Sequence, residues 1–249
     1  MKIVVIGGTG LIGWKVVSLL SEHGHDAVAA APSTGVNTIT GDGLKEALQG
    51  ADALIDVSNS PSFADDDVLS FFLTSTGNLA EAGKEAGISH YVALSVVGTD
   101  RSPEIGYYRA KVAQENAIKE SGLPYSIVRA TQFMEFAAGS ADTSTVDGVV
   151  RVPEVRVRPI AAAEVSAAVA RAAVGAPTNG IHEIAGPEEF GLDEWIRTVL
   201  AAHGDQRAVV LDPKAPFFGA VPRKDALLPS PGAEIAKTTL AEWLRTQQK

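Results

Sequence analysis

The chain contains no cysteine among its 249 residues, which removes disulfides, thiolate metal sites and thiol catalysis together. It also lacks a basic surplus. Its 21 Lys and Arg against 30 Asp and Glu leave a formal net charge of −9, which argues against a surface built for nucleic-acid phosphates. No run of about 18 uninterrupted apolar residues occurs, so no membrane span is expected. The apolar start Met1–Ile6 is too short for the core of a signal peptide, and a cytoplasmic location is the expectation. Internal repeats, low-complexity tracts and long linkers are missing as well. The five histidines, His23, His25, His90, His182 and His203, show no zinc-ligand spacing, so no metal is expected.

What is present is enough for one α/β unit with an appended region, a size that buries roughly 70–75% of the unfolded chain's surface. Short apolar runs alternate with helical-period stretches, the pattern of a parallel sheet with crossover helices. Strands are expected at Lys2–Ile6, Asp26–Ala31, Asn37–Thr40, Ala53–Val57, Tyr91–Ser95 and Tyr125–Arg129, with a last one at Ile181–Ala185. Helices are expected at Leu11–His23, Leu44–Gln49, beyond Pro61, and at Tyr107–Ser121, Ala161–Val174, Leu192–His203 and Thr238–Thr246. Asp65, Asp66 and Asp67 suit the positive end of the helix after Pro61. Val149–Val157 alternates, with Arg151, Arg156 and Arg158 on a charged face. Asp212–Pro231 holds five prolines and reads as a loop or lid. Trp195 and Trp243 are expected to anchor the C-terminal helices. The fold class is thus a Rossmann-type, doubly wound parallel sheet.

Gly7, Gly8, Thr9, Gly10, Leu11, Ile12 and Gly13 form a Gly-x-Gly-x-x-Gly turn between an apolar strand and an amphipathic helix. One glycine permits the tight turn, one lets the backbone approach a pyrophosphate, and one lets helix pack on strand. The helix N-terminus offers free N–H groups and partial positive charge to phosphates. A nicotinamide dinucleotide is the ligand this predicts. The ribose-reading position, about 20 residues on, falls at Ala30 or Ala31. No carboxylate stands there to repel a 2′-phosphate, and Ser33 and Thr34 can donate to one. The reading therefore favours NADP, with NAD left open. Asp42 is placed either to reach the adenine amino group or to cap the helix at Leu44. Val57, Ser58 and Asn59 should line the ribose and nicotinamide side.

Tyr107 and Lys111, four apart, share a helix face. A lysine can bind ribose hydroxyls and lower the pKa of a nearby phenol, and such a tyrosine can pass a proton to a carbonyl oxygen. Tyr108 beside them, and the ring-rich Phe133, Met134 and Phe136 past the sixth strand, divide between pocket wall and core packing. Apolar walls suit a quinone or a hydrophobic carbonyl.

Val4–Gly13, Ala93–Gly98, Tyr107-x-x-x-Lys111-x-x-x-Glu115 and Ser121–Tyr125 with Arg129 resemble the short-chain dehydrogenase/reductase superfamily, and within it the atypical, NmrA-like branch. The resemblance runs over nearly the whole chain, including Arg158-Pro159-Ile160 and Ile184–Pro187. It implies one domain over residues 1–249, with about 131–160 and 186–249 covering a small-molecule substrate. It makes Lys111 the active lysine. Members with a full triad carry a Ser or Thr after the fifth strand, for which Ser95 and Thr99 are the two candidates here, Ser95 also being expected to touch the cofactor. The resemblance implies an NAD(P)H-dependent oxidoreductase. The branch also holds non-catalytic redox sensors that bind dinucleotide and act through a protein partner. A homodimer is compatible with the fold by analogy.

Overall fold

A computed structural model describes residues 1–247; residues 248 and 249, the end of the expected covering segment, lie outside the described residues. The elements run β1 (Lys2–Ile6), α1 (Gly13–Glu22), β2 (Asp26–Ala30), α2 (Leu44–Leu48), β3 (Ala53–Asp56), α3 (Asp65–Ala86), β4 (His90–Val96), α4 (Gly106–Glu120) and β5 (Tyr125–Ala130). Beyond them lie α5 (Ala137–Thr143), β6 (Thr145–Val146), β7 (Val149–Val152), β8 (Arg156–Val157), α6 (Ala162–Val174) and β9 (Gly180–Ala185). The last are β10 (Phe190–Gly191), α7 (Leu192–Ala202), β11 (Val209–Leu211), β12 (Glu234–Ile235) and α8 (Leu240–Gln247).

The central sheet is parallel and seven-stranded, in the order β12-β9-β5-β4-β3-β1-β2. β1 and β3 are buried along nearly their whole length because helices cover both faces of such a sheet, which is why they read as unbroken apolar runs. Asp65, Asp66 and Asp67 occupy the first turn of α3, and Gly87, at φ 70°, ends it in the left-handed conformation.

Asn37–Thr40 is a turn, not the strand its sequence suggests. The Asn37 side-chain oxygen accepts the amides of Ile39 and Thr40 (2.9 and 3.3 Å), and its own amide donates to Asp42 O at 2.8 Å. A side chain that satisfies backbone donors locally leaves none for a ladder. β2 is therefore the sheet's edge on that side. Val149–Val157 splits into two short strands around Pro153, whose missing N–H cannot extend a ladder.

The chain divides into two compact units: Met1–Ser95 with Ala110–Arg129 and Val165–His182, and Val96–Arg109 with Ala130–Glu164 and Glu183 onward. The first has a core of Val4, Ile6, Leu48, Leu54, Leu79, Tyr91 and Ile127 among others. The second is built around Trp195, Ile196, Val150, Met134 and Trp243. Both tryptophans anchor their helices as expected, at 1% and 6% exposure. Among the described residues no helix is long and apolar enough to cross a membrane, and no group of three or more His, Asp or Glu is arranged to hold a metal.

Candidate functional site

The sheet order reverses at β1, with β2 on one side and β3 on the other, and ligands of open α/β sheets bind in the crevice beyond the strand ends at that switch point. The glycine turn sits there. Gly7 and Gly8 donate their amides to Ala30 O (2.9 and 3.3 Å), and Gly10 donates to Gly7 O at 2.9 Å. A Cβ on Gly8 would stand 2.7 Å from Ala29 Cα, and one on Gly13 would stand 2.1 Å from Gly7 O. Gly7 has φ +75°, and its Cβ would meet Ser58 at 3.0 Å. Positions 7, 8 and 13 are thus closed against any side chain, while Thr9 and Gly10 face solvent and α1 begins at Gly13. Helix geometry leaves the amides at that N-terminus without intrahelical acceptors. This cradle fits a pyrophosphate.

The ribose-reading region is less committed. Ala30 and Ala31 are buried and Ser33 is exposed. The Thr34 hydroxyl is occupied locally: it accepts the Ala31 amide at 2.9 Å and lies within donating distance of Ala31 O. Asp42 accepts the Thr40 hydroxyl at 2.6 Å, and the cap of α2 is Gly43, so the capping alternative for Asp42 falls away.

At the end of β3, Asp56 is 1% exposed and organises the segment that follows. Its Oδ1 accepts the amide and hydroxyl of Ser58 (3.0 and 2.6 Å), and its Oδ2 accepts Gln114 Nε2 at 3.0 Å and the Tyr91 hydroxyl at 3.4 Å. Burial, then the Asp56 charge, pushes the Tyr91 phenol well above its ordinary range. Val57 and Ser58 are half-buried and Asn59 is exposed. Gln114 Oε1 in turn accepts the Lys111 ammonium, which also donates to Leu94 O of β4 at 2.9 Å and lies 4.2 Å from the Phe72 ring centroid. Lys111 is 2% exposed. Desolvation pulls its pKa down from 10.5 to about 8, against the opposing pull of the Asp56 and Glu115 charges.

One helical turn on, Glu115 and Arg129 form a buried two-pronged pair: Nε donates to Oε1 at 2.8 Å and the guanidinium terminus to Oε2 at 2.7 Å. The Ser95 hydroxyl donates to the same Glu115 Oε1 at 2.7 Å. Ser95 thus serves the ion pair, and its hydroxyl is committed. Thr99, in the second unit, is 1% exposed and its hydroxyl has no hydrogen-bond partner.

In the second unit the Tyr107 ring stacks on Phe218, with centroids 5.5 Å apart and planes 19° from parallel. Burial raises the Tyr107 phenol above its ordinary range. Tyr108 and Met134, each 1% exposed, pack in this unit's core with Ile105, Ala137 and their neighbours. The Tyr108 hydroxyl accepts Gln132 Nε2 at 3.3 Å. Phe133 and Phe136 pair at 5.1 Å, Phe133 half-buried and Phe136 51% exposed.

Three residues of interest escaped the sequence reading: Asp56, Gln114 and Phe218. Asp56 carried a signal, an acid closing an apolar run at a strand's carboxyl end. Gln114, three residues past Lys111 on α4, had only its helical spacing to offer. Phe218 had none, because its partner lies far away in sequence.

The chain matches the NAD(P)H-binding family over residues 7–175, and it belongs to that family. It is 30% identical to an NAD(P)H azoreductase of Xenophilus azovorans over 222 residues, which cover 81% of this chain and 74% of that one. It is also 30% identical to the (4-alkanoyl-5-oxo-2,5-dihydrofuran-3-yl)methyl phosphate reductase of Streptomyces griseus over 162 residues, 60% of this chain and 54% of the relative. The chain spans about half the length of the first curated relatives it matches. Its fold is that of an NADPH-dependent quinone oxidoreductase from Escherichia coli solved with NADPH: TM-score 0.76 at 22% identity, covering 100% of both chains.

Proposed function

We propose that this member of the NAD(P)H-binding family is an NADPH-dependent oxidoreductase of the NmrA-like, short-chain dehydrogenase/reductase type that reduces a small, mostly apolar carbonyl or quinone. The observation that carries the reading is Lys111. A lysine 2% exposed, without a direct carboxylate partner, lowers stability wherever it is charged, and such a burial marks a candidate functional residue. The reductase names of the relatives support the same class.

In this reading the glycine turn Gly7–Gly13 holds the pyrophosphate and Asp42 meets the adenine. Ser33 and Thr34 face the 2′-phosphate, and NADH is the weaker alternative. Val57, Ser58 and Asn59 border the ribose and nicotinamide, and Lys111 holds the nicotinamide ribose hydroxyls. When bound, the reduced nicotinamide supplies a hydride. For a carbonyl substrate the Tyr107 hydroxyl gives the proton to the oxygen as it gains negative charge. A quinone spreads that charge over its conjugated system and needs no positioned donor, so Lys111 is the residue both routes share. Phe133 and Phe136 offer apolar surface to the substrate, and residues 131–160 and 186 onward are the substrate-covering part that the family resemblance implies.

Titration with NADPH and NADH, followed by turnover against quinones and aromatic carbonyls, tests this. NADPH binding with quinone reduction is expected, both weakened or lost in Lys111→Ala. Undiminished turnover in that variant removes Lys111 from the mechanism. Tight binding with no substrate reduced returns the redox-sensor reading.

A further inference from the structure

Two buried charges of the first unit stand one side chain apart and do not pair. Asp56 is 1% exposed and Lys111 2%, and the side chain that joins them is Gln114, itself 1% exposed. Its amide can face only one way. An ammonium has only protons to give and a carboxylate only lone pairs. Gln114 Oε1 therefore accepts from Lys111, and Nε2 donates to Asp56 Oδ2 at 3.0 Å.

Each charge is otherwise satisfied by neutral groups. An ionised carboxylate offers about four acceptor positions. Asp56 fills them with the Ser58 amide, the Ser58 hydroxyl, Gln114 and the Tyr91 phenol. Lys111 donates to Leu94 O as well as to Gln114, and its ammonium lies over the Phe72 ring. The titratable groups around this network are Asp56 of β3, Tyr91 of β4 and Glu115 of α4, the last held by Arg129 of β5; α3 contributes the Phe72 ring. A direct Lys111–Asp56 contact would be the stronger attraction between the two charges. It would also turn the ammonium toward β3 and claim an acceptor position that Ser58, Tyr91 or Gln114 now uses.

We propose that Gln114 is a positioning residue, a neutral spacer that keeps Lys111 out of an ion pair with Asp56 and so leaves the ammonium to the cofactor ribose and the carboxylate to the Ser58 segment. The consequence for the cofactor rests on the reading of Lys111 as its ligand; the spacer role does not.

The test separates the two. NMR of protein isotope-labelled at the lysine ε-carbons, with the Lys111 signal assigned by its loss in Lys111→Met, follows the ammonium directly and without cofactor. Wild type should titrate at about pH 8. In Gln114→Ala the two charges close on each other, and the titration should move up by about one to three pH units. Gln114→Asn, one methylene too short to reach both charges, should move it in the same direction and stands in if the alanine variant does not fold. Adding Asp56→Asn to either variant should return the titration to the wild-type value or below it. A titration that stays or falls when Gln114 is shortened, or a rise that survives Asp56→Asn, overturns the proposal. NADPH affinity at neutral pH should fall about tenfold in the shortened variants, the worth of a hydrogen bond from a charged group. A shifted titration with NADPH affinity unchanged upholds the spacer and strikes the reading of Lys111 as a cofactor ligand alone.

Discussion

At the residue scale the balance turns on Lys111. The unfolded chain holds this proton up to about 10.5, the folded one only to about 8, so between those values the unfolded state binds more protons and stability rises with pH. Below about 8 the whole penalty is present, on the order of 3 kcal/mol. Lys111→Met should therefore melt higher than wild type at neutral pH, lose the rise in stability between pH 8 and 10.5, and bind NADPH poorly. A variant that melts lower, with binding intact, would make the lysine structural. Asp56 is the counterweight, since its charge favours the ammonium. Asp56→Asn should move the alkaline limb of NADPH affinity to lower pH, because removing the negative charge disfavours protonated Lys111. A limb that stays in place would show that the Asp56 charge does not set the protonation of Lys111. Lys111 was legible from its spacing to Tyr107, but its burial and its bridge through Gln114 to Asp56 were not, because α4 and β3 meet only in three dimensions.

At the element scale the glycine turn was the most legible part of the chain, since strand, turn and helix all leave local signatures. Gly13 illustrates why. Its Cβ would sit 2.1 Å from Gly7 O, a backbone atom that cannot yield without opening the turn. Gly13→Ala should thus separate α1 from the turn and reduce NADPH affinity at least tenfold in isothermal titration; retained affinity would mean that the helix can shift without loss of the cradle. The asparagine turn at Asn37 marks the opposite case. Thr38 and Ile39 have strand propensity, and the Asn37 side chain overrides it by capping the amides that a ladder would use. The partner of Ser95 was hidden for a related reason. Its position at the end of β4 is as read, but the acceptor that claims its hydroxyl, Glu115, is delivered by a helix 20 residues on. The Glu115–Arg129 pair ties α4 to β5, and Arg129→Leu takes from buried Glu115 its two-pronged guanidinium partner. A loss of roughly 3–5 kcal/mol is expected in urea denaturation.

At the scale of the molecule, the division into two units is one of contact density and leaves neither unit continuous in sequence. The chain crosses between them after residues 95, 109, 129, 164 and 182, and each crossing falls inside an element: β4, α4, β5, α6 and β9 respectively. A helix or strand cut at such a point cannot keep its hydrogen-bond ladder on one side and lose it on the other without fraying. Unfolding of either unit should therefore draw the other with it in a single transition. The tryptophans make this measurable. Trp195 and Trp243 are buried in the second unit, whereas Trp14, on the first, is 52% exposed and reports little. Tryptophan fluorescence thus follows the second unit while the glycine turn that should bind NADPH belongs to the first. At about 100 times its dissociation constant NADPH adds about 2.7 kcal/mol to whatever unfolds with its site. The fluorescence melt should move upward with added NADPH by the same interval as the circular-dichroism melt. Trp195→Ala, which opens a cavity in the second core at about 3–5 kcal/mol, should be only partly offset by the nucleotide. A fluorescence transition indifferent to NADPH would show that the second unit melts on its own, and that the straddling elements break where the contact map divides them.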